Sequence, residues 1–274
     1  MASHPFSSLD DFIAQPRVEG VALSPDGRRV VLTIATLRAD ATGYERALWA
    51  VPADGAGTPV RLTRSAKGES SATFTASGDV LFVSARPDAD SDGDGDDAGA
   101  QLWVLPAAGG EARAVTRLAG GVDGIAAIAA DADRLVLTAE LLPGADTLEA
   151  DAALRGLRKQ KKVSAILHET YPVRYWDHDL GPAQPHLLAL DLDGLVDVLP
   201  ARTEVGADAA APASTDDTVS EPGAETTPYP TSLPRPRDLT PNPGRSADTA
   251  GAALTPNGRT LVAAMRVSEQ RDGR

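Results

Sequence analysis

Short apolar runs, each launched from a polar turn, recur along this chain at nearly constant spacing. In Leu23-Ser24-Pro25-Asp26-Gly27-Arg28-Arg29-Val30-Val31-Leu32 the turn residues come first. Proline fixes φ, glycine takes a positive φ at low cost, and the β-branched run that follows favours extended backbone. Phe74-Thr75-Ala76-Ser77-Gly78-Asp79-Val80-Leu81-Phe82-Val83 repeats the plan one residue shorter. Leu254-Thr255-Pro256-Asn257-Gly258-Arg259-Thr260-Leu261-Val262-Ala263 repeats it nearly letter for letter, and Ile128 to Leu137 is a worn copy. Ser24, Thr75, Ala129 and Thr255 align at separations of 51, 54 and 126 residues, the last being two periods if one repeat carries an insertion. Trp49 and Trp103, 54 residues apart, give the same period on an independent feature. The unit has the length of a propeller blade, so the expected fold class is all-β: an incomplete β-propeller of about three blades plus the start of a fourth.

Between these markers the pattern predicts further strands. Ala47 to Pro52 and Val60-Arg61-Leu62-Thr63 complete the first blade, while Gln101 to Pro106 and Ala112 to Thr116 complete the second. Trp49 and Trp103 read as core residues filling the space between neighbouring sheets rather than as a stacking platform. Ser7 to Ile13 reads as a short capped helix with acids in its first turn, ended by Pro16. Asp146-Thr147-Leu148-Glu149 resembles a capping box, and acids followed by Arg155, Arg158, Lys159, Lys161 and Lys162 predict an exposed helix inserted in the third blade, over about 146–168. From Thr203 to Ala250 there are eight prolines and few large apolar residues, the composition of a long flexible or disordered loop. The expected organisation is therefore a helical lead-in over 1–17, blades over 18–202, that loop over 203–250, and the start of another blade over 251–274. An arc of this kind leaves one face of each terminal blade uncovered, so the chain is expected to be marginally stable or self-associating.

Composition narrows the function classes. The 274 residues carry a net charge of −13, which argues against nucleic acid as a partner. The absence of cysteine excludes disulfides and thiolate metal sites. No apolar run reaches membrane-spanning length and residues 1–12 lack a signal-peptide pattern, so no membrane partner and a cytoplasmic address are expected.

Candidate chemistry is sparse. Asp88, Asp90, Asp92 and Gly93 match the opening of a calcium loop, but its twelfth position is Gly99 rather than glutamate, and a solvated hairpin tip is the simpler reading. His168, His178 and His186 stand among acids, which raises a metal site or a His–Asp pair. Pairing of Arg174 with Asp177, with the nearby aromatics packed between blades, is the structural reading of that window. No Gly-x-Ser-x-Gly occurs anywhere, so no strained turn exposes a nucleophilic serine. The expectation is no catalytic residue, no metal site and no cofactor.

Two stretches carry a resemblance. Asp11-Phe12-Ile13-Ala14-Gln15-Pro16-Arg17-Val18 leading into Leu23 to Arg28, and above all Tyr171-Pro172-Val173-Arg174-Tyr175-Trp176-Asp177 followed by His186-Leu187, resemble the amino-terminal propeller of the prolyl oligopeptidase family of serine peptidases, in particular its dipeptidyl-peptidase V and acylaminoacyl-peptidase types. The resemblance implies a seven-bladed propeller that gates access of short peptides to an α/β-hydrolase domain, the partner absent from this sequence. It transfers no catalytic residue to any position here. A non-catalytic TolB-like propeller scaffold that binds a protein or peptide is the alternative from a different class, and a calcium-binding surface module is a third reading.

Overall fold

Three four-stranded antiparallel sheets and a final two-stranded hairpin make up the computed structural model, which describes residues 6, 8–87, 99–168, 173–177, 179–192, 228–248 and 251–266. A short helix, α1 (Leu9–Ile13), comes first; Ser8 caps it by accepting from the Asp11 amide at 3.0 Å. The first sheet is β1 (Arg17–Leu23), β2 (Arg29–Leu37), β3 (Tyr44–Pro52) and β4 (Val60–Arg61). The second is β5 (Ser70–Phe74), β6 (Val80–Ser84), β7 (Gln101–Leu105) and β8 (Arg113–Ala114). In the third, β9 (Gly124–Ile128) and β10 (Arg134–Leu141) are followed by the inserted helix α2 (Leu148–Gln160), then β11 (Gln184–Asp191) and β12 (Arg237–Asp238). The hairpin is β13 (Gly251–Leu254) with β14 (Leu261–Ala264). Strands follow chain order within every sheet.

The recurring turn has one geometry. The amides of Ser24 and Thr255 donate to the carbonyls of Arg29 and Thr260, their hydroxyls accept the amides of those same residues, and Thr75 does the same with Asp79 one residue earlier. Gly27, Gly78 and Gly258 close the turns at φ values of 69°, 89° and 68°. Positive φ is what reserves this position for glycine. Ala129, which lacks a hydroxyl, keeps only the amide bond to the Arg134 carbonyl. Arg29 then reaches to the Gly78 carbonyl of the next turn at 2.8 Å, and Arg134 repeats this to Gly258 at 3.1 Å.

Registers repeat as well. Trp49 lies opposite Leu32 and Arg61, and Trp103 lies opposite Phe82 and Ala114, so the two tryptophans occupy equivalent places on the third strands. Leu188 takes that place in the third sheet, opposite Leu137 and Asp238. One residue earlier, Leu48, Leu102 and Leu187 each donate an amide to a threonine hydroxyl, Thr63, Thr116 and Thr240, at 2.9, 3.0 and 3.0 Å. Each of these leucine carbonyls also accepts the amide just before that threonine. A fourth strand of only two residues is thus closed by a side chain.

The core lies between sheets. Ala22, Val31, Leu48 and Leu62 of the first meet Phe74, Val80, Phe82 and Trp103 of the second. The opposite face of the second, with Leu81, Val83, Leu102, Val104 and Val115, meets Leu135, Leu137, Leu188 and Leu190 of the third. The first strands follow one another in space, β1 touching β5, β5 touching β9 and β9 touching β13.

Some expectations differ from the fold. Helix α2 ends at Gln160 rather than near residue 168, because Lys162 takes a left-handed φ of 52° while its amide and that of Val163 bond back to the carbonyls of Lys159 and Arg158. Its N-cap is Thr147, accepting from Ala150, so the expected box between Asp146 and Glu149 does not form. Residues 203–227 lie outside the described residues, but 228–248, within the stretch expected to be a loop, include β12 and the buried Tyr229. Trp103 is buried, whereas Trp49 is half-buried on the open side of the first sheet.

Candidate functional site

Among the described residues the sequence candidates do not converge. The acidic loop Asp88 to Asp97 and His178 lie outside the described residues, and His168 is exposed in the segment after α2. His186, by contrast, is buried on β11, its Nδ1 2.9 Å from Asp238 Oδ2 on β12. A carboxylate accepts only, so the ring nitrogen donates. Burial alone would raise Asp238, yet the bonds from His186 and from the Thr240 amide hold its carboxyl below the ordinary range. The pair docks the short strand β12 against β11. Among the described residues no group of three or more His, Asp or Glu is arranged to hold a metal ion.

In the Arg174 window the bond differs from the expected one. Arg174 pairs with Asp179 at 3.3 Å, not with Asp177, because the two residues form an isolated antiparallel bridge. Trp176 is 83% exposed rather than packed between sheets. Tyr175 bonds Asp248 and lies 3.4 Å from Arg266, which joins this segment to the end of the hairpin. Burial and the Asp248 bond both raise its phenol above the ordinary value.

Two polar clusters were not anticipated from the sequence. Glu69, fully buried ahead of β5, accepts from Arg86 at 2.5 Å, from the Thr63 hydroxyl at 2.8 Å and from the Ser65 amide at 3.3 Å. Arg86 also lies over the rings of Phe82 and Trp103, 4.9 and 5.3 Å from their centroids. Of this cluster Glu69 alone borders a cleft of about 350 Å³ between the first two sheets, which Arg38, Tyr44, Glu45, Arg46, Lys67 and Ser70 also line. Its carboxylates are already engaged: Glu69 with Arg86, and Glu45 with Arg61.

The second cluster joins α2 to the returning chain. Glu149, in the first turn of α2, takes both Arg235 Nη atoms at 2.6 and 2.7 Å and the Tyr229 amide at 3.1 Å. The Arg235 bonds are the main reason the Glu149 carboxyl is held down at about 2. Burial pushes the Tyr229 phenol up to about 12. Beneath α2, buried Asp151 accepts from the Leu142 amide and Arg155, and Arg155 donates to the Glu140 carbonyl. A Cβ on Gly120 would fall 2.7 Å from the Glu140 carbonyl oxygen and 2.5 Å from the Arg155 guanidinium, so the backbone contact reserves this position for glycine.

Asp123 stands beside this cluster, and it sets a pH dependence. Although part of its side chain reaches solvent, desolvation and the Glu140 carboxylate push it from its ordinary 3.8 up to about 6, against the pull of Arg155. The folded chain then binds more protons than the unfolded chain between these values, so this group's share of stability falls as pH rises across that window. Asp123→Asn is expected to stabilise the chain near neutral pH and to change little near pH ~4, which urea unfolding at the two pH values measures. Equal effects at both would show that Asp123 is not perturbed.

Among known proteins, no family model and no curated protein matches the chain. Among solved structures it is similar to the acylaminoacyl peptidase of Pyrococcus horikoshii, at 12% identity over 67% of this chain and 24% of that chain, with a TM-score of 0.46. The uncomplexed form of that enzyme gives 13% identity over 65% and 23%, with a TM-score of 0.43. The AtxE2 isopeptidase without ligand gives 15% identity over 67% of this chain and 30% of that chain, with a TM-score of 0.38. The chain therefore spans less than a third of each of these proteins. Among the described residues no helix is long and apolar enough to cross a membrane.

Proposed function

We propose that this chain is the amino-terminal propeller portion of a serine peptidase of the prolyl oligopeptidase family, whose role is to shape and gate the cavity through which short peptides reach a hydrolase domain outside these 274 residues. The observation that carries the reading is the Arg174-Tyr175-Trp176-Asp177 segment with His186-Leu187, set in a chain whose sheets repeat one turn, one register and one threonine closure. On this reading each four-stranded sheet is a blade, the hairpin β13–β14 opens the fourth, and the first strands line the axis. The chain itself supplies no nucleophile. Its partners are the hydrolase domain and peptide substrates of a cytoplasmic enzyme, with neither nucleic acid nor membrane.

The second reading, from a different class, is a non-catalytic propeller scaffold for a protein or peptide partner, which the repeated turn and sheet closure fit equally well. Reading the gene past the codon for Arg274 separates the two. Further blade repeats followed by a Gly-x-Ser-x-Gly support the gating reading; a stop codon after the repeats alone supports the scaffold.

A further inference from the structure

None of the chain's 39 Asp and Glu residues falls between Asp151 and Glu169, whereas Arg155, Arg158, Lys159, Lys161 and Lys162 all do. Arg155 is committed beneath α2, to Asp151 and the Glu140 carbonyl; the other cations gather at the C-terminal end of the helix. Lys162 then turns the backbone left-handed, and residues 163–168 belong to no helix or strand and are all exposed. Ser164 stands in this stretch, with Lys162 two residues and Lys161 three residues before it. Its hydroxyl takes part in no hydrogen bond among the described residues. No other serine or threonine of the sequence has basic residues at both of those positions. Thr116 and Thr240 each have an arginine three residues before them, but Thr116 is buried and both hydroxyls accept a leucine amide.

Arg158 reaches the same place from the helix. Its Nη2 donates to the Ala165 carbonyl at 3.0 Å, so the guanidinium lies beside the residue that follows Ser164. The carbonyls of Leu157, Arg158 and Lys159 at this helix end already accept the amides of Lys161, Val163 and Lys162. A helix C-terminus carries only about half a negative charge, so the surrounding cations decide the sign of the local field.

We propose that Ser164 is a phosphorylation site for a serine/threonine kinase that reads basic residues ahead of the acceptor, and that Arg158 holds the phosphate once it is in place. Such a kinase needs its acceptor hydroxyl on backbone free of helix and sheet, and takes selectivity from the charges around it. Ser164 meets both demands. In the reaction its Oγ attacks the γ-phosphorus of Mg-ATP; the new O–P bond forms as the bond to the β–γ bridging oxygen breaks, ADP leaves, and the hydroxyl proton passes to the kinase's aspartate. The product places about −1.5 to −2 charges and three acceptor oxygens beside Arg158. A two-pronged guanidinium bond to that phosphate draws residues 163–168 against α2. The inference rests on this segment alone, so its failure leaves the peptidase reading and its tests untouched.

Incubated with Mg-ATP and the catalytic subunit of cyclic-AMP-dependent protein kinase, a basophilic enzyme, the 274-residue chain is expected to gain phosphate, which peptide mapping by mass spectrometry should place on Ser164. Mapping uses the unaltered chain, so it does not depend on a variant folding. Lys161→Glu combined with Lys162→Glu should slow the reaction on the order of a hundredfold, because two attractive contacts with the kinase become repulsive. Amide hydrogen exchange over residues 163–168 should slow after phosphorylation, and should not do so in Arg158→Ala. Phosphate on other residues with Ser164 bare, modification of Ser164 only after unfolding in urea, or an unchanged rate in the double lysine variant would overturn the acceptor assignment. Exchange unaltered by the phosphate would overturn the role of Arg158.

Discussion

Replacing Trp103 by alanine is expected to cost about 3–5 kcal/mol of unfolding free energy, while the same change at Trp49 costs well under half as much in a dilute monomer. The two residues occupy the same place in successive sheets, so intrinsic strand preference and chain connectivity cancel in the comparison. What differs is cover. Trp103 is 4% exposed, packs in the cluster of Phe74, Val80 and Phe82, and donates its indole N–H to the Ser84 carbonyl at 3.1 Å. Trp49 lies on the open face of the first sheet, where truncation leaves no sealed cavity. Denaturant unfolding of both variants at low protein concentration measures the difference. Equal costs would mean that the first sheet is covered as fully as the second.

Glu69→Gln is expected to destabilise the chain by about 3–5 kcal/mol, because it strands the Arg86 guanidinium beside two aromatic rings with no counter-charge. Glu69 has no exposed side-chain surface and its carboxylate binds Arg86, Thr63 and Ser65 at once. Thr63 in turn accepts the Leu48 amide, so the loss should propagate into the closure of the first sheet. Replacing both partners, Glu69→Met with Arg86→Met, should recover most of the stability, since a buried ion pair is costly to break but not to remove whole. A double-mutant cycle read by urea unfolding tests this. Additive single effects would show that the pair contributes nothing as a pair.

The features legible in the sequence were those written in local chemistry. Ser-Pro-Asp-Gly and its two close copies specify a hydroxyl, a positive φ and an apolar run within ten residues, and these three form the expected turn, whereas the worn copy from Ile128 keeps only the amide bond of Ala129. The equivalent places of Trp49 and Trp103 were legible for the same reason, as one bulky residue per period, but only Trp103 is packed between sheets as expected. What escaped was set by partners distant in the chain. Arg237-Asp238 sits among prolines, and only pairing with Leu188 and Ala189 and the bond from His186 make it a strand. A signal was present: Arg61-Leu62-Thr63 and Arg237-Asp238-Leu239-Thr240 share the threonine that closes the sheet. Glu149 satisfied the local pattern for capping, yet Arg235, 86 residues away, claims its carboxylate. Glu69 carried no sequence signal at all, since a single glutamate before a strand reads as surface.

Fluorophosphonate labelling tests the central claim most directly. The reagent needs a serine activated by a base beside oxyanion donors, and the sequence holds no elbow that would supply one. His186 is committed to Asp238 and the hydroxyls of Ser24, Thr63, Thr116 and Thr240 to turns and strand closures. The purified 274-residue chain should therefore remain unlabelled and should not cleave dipeptidyl or N-acyl-aminoacyl chromogenic substrates, while the product of the gene read through its next several hundred codons should do both. Stoichiometric labelling of the 274-residue chain, or an extended product that neither labels nor cleaves, would contradict the account.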